Sequence, residues 1–171
     1  MRTATLLSVA LLLPVASLGA QAAHKTAAAK EQGAAAPIVV MADAVQWGPA
    51  PAVLPSGASA AVLEGDPTKP GVFTMRLRLP DGYRIAPHYH PGMEHVTVIS
   101  GMFMVGMGDR FDESQMKTLS AGSFGAIPPR MRHYAMAHGE TILQLHGTGP
   151  WRLVYVNKAD DPRTKSKANG Q

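Results

Sequence analysis

Two histidines, His88 and His90, stand just ahead of a glutamate in the stretch Gly82-Tyr-Arg-Ile-Ala-Pro-His88-Tyr-His90-Pro-Gly-Met-Glu94. On an extended chain, residues i and i+2 project from the same side, so both imidazoles face one way. Pro91-Gly92 then turns the chain back beside itself, and Glu94 opens the next strand close enough to offer its carboxylate to the same point. Two imidazoles and a carboxylate converging on one point suit Mn, Fe, Co, Ni, Cu or Zn, which accept mixed nitrogen and oxygen donors. The other histidines have different settings. His95 follows Glu94 and therefore points to the opposite face, His24 lies in a leader, and His138 lies in a turn. His146 shares a strand side with Ile142 and Gln144 and is a candidate for lining a cavity.

The elements that must position these groups are short strands. Phe73, Met75, Leu77 and Leu79 alternate with Thr74, Arg76 and Arg78, the period of a half-buried strand with one wet face. Residues 96–100, 102–107, 123–127, 141–146 and 151–156 also read as strands, and 109–117 as the one place for a helical turn. Asp81-Gly82, Pro91-Gly92, Ser100-Gly101, Ala121-Gly122 and His138-Gly139 are the turns expected between them. Seventeen Gly and 14 Pro fit many short elements joined by turns, and no internal repeat is visible. The class is all-β. A chain of 171 residues has room for one domain with a real core.

The ends carry different information. Arg2, an apolar run from Leu6 to Val15 and an Ala20-Gln21-Ala22 site form an export signal over 1–22, too short to span a bilayer. Cleavage after Ala22 predicts a periplasmic or secreted protein with no membrane attachment. Residues 23–37 read as a flexible leader, 38–157 as the folded body and 158–171 as a loose polar tail. The net charge of +4 comes largely from the termini: Arg2, Lys25, Lys30, Arg163, Lys165 and Lys167. A nucleic-acid binder concentrates such residues on one face, so DNA and RNA are excluded as expected partners. With no Cys, the fold is stabilised by its core and by any bound metal.

The spacing Gly82, His88-x-His90, Glu94, Gly101 resembles the first motif of the cupins. Gly122, Pro128 and His133 match the second motif, while Arg130 stands where that motif has Gly and Ala137 where it often has Asn. The resemblance covers roughly 41–156. It implies a single small jelly-roll barrel, a double-stranded β-helix, with His133 as a fourth ligand arriving from a neighbouring strand. It also implies one divalent transition metal ion (Fe, Mn, Zn, Ni or Cu) held by His88, His90, Glu94 and His133.

Such a ligand set leaves coordination positions open for catalysis. The expected function is a metal-dependent enzyme acting on a small organic molecule, an O2-using oxidoreductase before a lyase, with Glu94 doubling as acid/base. The alternative is a non-catalytic metal- or ligand-binding cupin. Arg130 and Arg132 flank His133 and are candidates for attracting an anion, though surface charge is the plainer reading; Tyr83, Tyr89 and Tyr134 are assigned to packing. Met102, Met104 and Met107 raise soft-metal handling but are read as core filling. A homodimer is expected, with Val39, Val40, Val45 and Trp47 as its edge strand.

Overall fold

The computed structural model describes residues 36–164. The segments expected as an export signal and, nearly all of it, as a leader lie outside the described residues. The described residues from Pro37 onward belong to one compact unit, which contains the barrel. Among the described residues, no helix is long and apolar enough to cross a membrane.

Apart from short 3-10 turns, the regular structure of this unit's described residues is antiparallel sheet. Its strands are β1 (Gly48–Pro49), β2 (Ser59–Glu64), β3 (Gly71–Leu79), β4 (Arg84–Tyr89), β5 (Glu94–Met107), β6 (Lys117–Ser120), β7 (Phe124–Ile127), β8 (His133–Gly149) and β9 (Val154–Tyr155). The alternation in β3 does what its period requires: Phe73, Met75, Leu77 and Leu79 are buried. Arg76 and Arg78 face outward, where Arg76 donates to Gln144 and Arg78 lies over the Trp47 ring. Each buried aliphatic side chain of this row contributes about 1.5–3 kcal/mol by leaving water.

Two long strands make the fold a jelly roll. β8 pairs with β4 through its first turns and with β3 through its second half, while β5 runs along it at both ends. β5 also takes β7 at its start and β6 at its end. Both strands bend sharply in the middle, where the β5–β8 register breaks between Val98 and Met102. Ser100-Gly101 and His138-Gly139, expected as chain-reversing turns, are instead the corners of continuous strands. The glycines still serve backbone geometry: Gly101 has φ +78° and Gly139 φ +71°. A Cβ on Gly101 would stand 2.4 Å from the Glu140 carbonyl oxygen. The fully buried Thr141 hydroxyl fills the remaining space, accepting from Met102 N–H and donating to Met102 O.

Two further expectations are corrected. Val39 and Val40 are exposed and outside any strand, and Ala42–Ala44 form a 3-10 turn; only Val45 reaches the core. An edge strand is Gly48–Pro49, where proline's missing N–H costs nothing because, among the described residues, no strand lies beyond it. Met102 and Met107 are exposed rather than core filling, and Phe103 takes the inward position next to Met102. The helical turn expected in 109–117 is a 3-10 turn at Glu113–Gln115, capped by the Asp112 carboxylate. In the tail, Lys158–Asp160 form another, capped by Asn157, and residues 165–171 lie outside the described residues.

Candidate metal centre

His88 and His133 are cross-strand partners at one end of the β4–β8 pair, so their inward side chains meet without any long-range adjustment. His90 lies just past the end of β4, at the start of the Pro91-Gly92 turn, and Glu94 is the first residue of β5. The turn is tied down by Arg130, whose N–H donates to the His90 carbonyl at 2.7 Å. Arg130 has φ +64°, the left-handed conformation that the second cupin motif reserves for Gly. That backbone is strained for a residue with a Cβ, so the departure from the motif places strain at Arg130.

One ligand atom from each of His88, His90 and His133 lies within 4.8 Å of the others, and all three residues are buried. Each ring has its Nδ1 against a backbone carbonyl: Ala86 at 2.8 Å for His88, Arg152 at 2.8 Å for His90, and Met131 at 3.0 Å for His133. A carbonyl can only accept, so each Nδ1 carries the proton and each neutral ring turns the lone pair of Nε2 inward. Glu94 Oε2 lies 3.4 Å from both His90 Nε2 and His133 Nε2. Acceptors thus face acceptors across a closed space.

The electrostatics agree with neutral rings at His88 and His90. Burial, then the neighbouring His133 and His90, pushes His88 down to about 3. Burial also lowers His90. Burial, the largest influence, raises the Glu94 carboxyl, but the close contacts with His133, His90 and His88 outweigh it, and the net direction is down. Among the described residues, His90 Nε2 is one of the few buried polar atoms with no hydrogen-bond partner. An orphaned lone pair beside other lone pairs and a carboxylate fits a divalent cation. The three buried imidazoles could hold one.

The space beside these groups is small, about 20 Å³ for the centre of a water-sized sphere. Its apolar floor includes Leu77, Val96, Phe103 and Leu143, and Trp151 stands at its side with the indole stacked on His90. Leu54, from the Pro51–Leu54 turn, inserts into the same wall.

The remaining sequence candidates lie elsewhere. His146 does not line the cavity: it pairs with His95 on the outer face, ring stacked on ring, because Leu143 and Leu145 take the inward positions of β8. His95 faces outward as expected and also stacks on Phe124. Arg132 is exposed and paired with Asp109, outside the pocket. Tyr83 and Tyr134 are buried and donate to the carbonyls of Pro55 and Asp112, so packing is their role. Sequence reasoning missed Trp151, Leu54 and the three carbonyls that hold the rings. No local pattern marks them, since their places depend on distant strand register.

The profile of the ChrR Cupin-like domain family matches residues 35–152. No curated protein matches the chain. Similar solved structures include the polyketide cyclase RemF from Streptomyces resistomycificus, at 13% identity and TM-score 0.60, covering 75% of this chain and 92% of that one. A Methylibium petroleiphilum protein assigned as an acetylacetone dioxygenase is similar at 21% identity and TM-score 0.56, covering 80% and 96%. KdgF from a Halomonas species is similar at 18% identity and TM-score 0.50, covering 64% and 92%. At these identities the likeness shows a shared barrel. With the motifs, the barrel and the family profile in agreement, the chain belongs to the ChrR Cupin-like domain family of the cupin superfamily.

Proposed function

We propose that the chain is a metal-dependent cupin oxidoreductase that uses dioxygen on a small organic molecule, with His88, His90, His133 and Glu94 as ligands and Glu94 as acid/base. The observation that carries the reading is the set of three buried rings, each held by its Nδ1–H and with ligand atoms within 4.8 Å of one another, the Nε2 atoms of His90 and His133 3.4 Å from one carboxylate and His90 Nε2 unmatched. The Methylibium relative's assignment to dioxygen chemistry on acetylacetone supports the choice of reaction class.

A divalent transition metal, when bound, supplies Lewis acidity and, for iron, manganese or copper, one-electron redox chemistry. The protein's own residues supply the rest. The carbonyls of Ala86, Arg152 and Met131 fix the ring tautomers and raise the basicity of Nε2. Glu94 is ionised at neutral pH because its carboxyl is held low, which suits charge balance first and acceptance of a proton at Oε2 second. The apolar floor keeps bulk water from the reacting groups.

The test is O2 uptake by protein loaded separately with Fe, Mn, Cu, Ni and Zn, against phenolic, keto-acid and dicarboxylate compounds. Turnover with one class, lost in Glu94→Gln with metal still bound, is the expected result. No uptake or turnover in any loaded form defeats the catalytic reading. A non-catalytic metal-binding role has its own support, since a space of about 20 Å³ takes a water rather than an organic molecule. Tight metal binding without turnover would identify it. Export to the periplasm or outside the cell, and a homodimer, belong to the same proposal; fractionation of expressing cells and gel filtration test them.

A further inference from the structure

His90 is held differently from the other two imidazoles. His88 and His133 sit opposite each other in a strand ladder, but His90 lies beyond the end of β4, where no ladder partner fixes its side chain. What fixes it comes from residues 151 and 152. The Trp151 indole stacks on the His90 ring, centroids 4.7 Å apart and planes 21° from parallel. The next residue's carbonyl, Arg152 O, accepts the His90 Nδ1–H at 2.8 Å.

These two contacts do different jobs. A single hydrogen bond at Nδ1 sets the direction of one N–H vector and selects the tautomer, yet leaves the ring free to tilt about that vector. A flat surface against the ring face removes the tilt. Residue 151 is itself seated firmly: its backbone N–H donates to Pro67 O at 2.7 Å, and its indole meets the buried Phe73 edge-on at 6.4 Å and 64°. Trp151 offers no lone pair to an ion, since its one polar group is a donor.

We propose that Trp151 is a positioning residue of the metal centre: it holds the plane of the His90 imidazole, and with it the direction in which Nε2 is offered to the ion. The inference rests on the metal-centre reading above and adds to it a residue outside both cupin motifs.

Cobalt(II) is the probe, because its visible spectrum reports coordination geometry. The full chain, Trp151→Phe and Trp151→Leu are each titrated with Co²⁺, and metal-free samples are melted in urea to confirm folding. Trp151→Leu is expected to bind Co²⁺ about tenfold more weakly or worse, with a shifted spectrum, while Trp151→Phe keeps a flat face and stays near the unsubstituted protein. Equal affinity and an unchanged spectrum in folded Trp151→Leu overturn the role. If that variant does not fold, Trp47→Phe leaves Trp151 as the remaining tryptophan. Its emission must then fall in step with Cu²⁺ occupancy of the site, and emission indifferent to bound Cu²⁺ overturns the stacking on which the proposal stands. Failure of the unsubstituted chain to bind any Co²⁺ would instead bring down the metal centre itself, and the proposal with it.

Discussion

Protonating His88 in the folded chain would place a cation in a nearly dry pocket beside two more imidazoles, which is why its pKa falls from 6.5 to about 3. The unfolded chain binds that proton from about pH 6.5 downward, and the folded chain does not until about pH 3. Between those values the unfolded state holds more protons, so stability must fall as pH falls, by up to ~1.4 kcal/mol per pH unit for this one group. His90 acts in the same direction, and Glu94, also lowered, adds a loss below the ordinary carboxylate range. Urea melts of metal-free protein between pH 7.5 and 4.5 should show this slope, and His88→Leu should flatten it; a flat profile in the unsubstituted chain contradicts the account. Arg130 gives a second test at this scale. Its left-handed backbone is strained for any residue with a Cβ, so Arg130→Gly should raise stability by about 0.5–1 kcal/mol after allowing for glycine's greater freedom when unfolded. An unchanged or lower urea midpoint would show that the turn carries no strain.

At the scale of elements, the bend shared by β5 and β8 decides whether the ligand-bearing strand ends reach one another. Glu94 and His133 open these two strands, and both strands must turn their corners for the β4, β3 and β7 contacts to form together. Gly101 is the tightest point, with φ +78° and the Glu140 carbonyl where a Cβ would go. Gly101→Ala should therefore destabilise the barrel by roughly 2–4 kcal/mol, read from urea melts, and weaken metal binding as well. A loss under about 0.5 kcal/mol would mean the corner can relax. This element also shows what a sequence can conceal. Ser100-Gly101 and His138-Gly139 carry the residues of a turn, and local chemistry cannot tell a chain reversal from a bulged corner in a continuous strand. The difference lies in pairing between residues about 40 positions apart, such as Met102 with His138.

For the whole molecule, legibility followed the range of the interactions. The β3 row was readable because a period of two is local, and the His88, His90 and Glu94 set because one short turn brings it together. His133 was reached through the resemblance to a family motif, since its meeting with His88 depends on the β4–β8 register. Trp151 was out of reach altogether: its place on His90 is set by a loop tied to Pro67, far away in sequence. The same logic explains His146, whose side of the sheet depends on the β8 register. The central claim is that this barrel closes around one metal ion, and the most direct measurement is a crystal structure with anomalous scattering of the purified protein. The account predicts a single ion bound by the Nε2 atoms of His88, His90 and His133 with the Glu94 carboxylate beside it, absent in His90→Ala. A pocket empty of metal after loading with each of Mn, Fe, Ni, Cu and Zn, or an ion held by other residues, would contradict it.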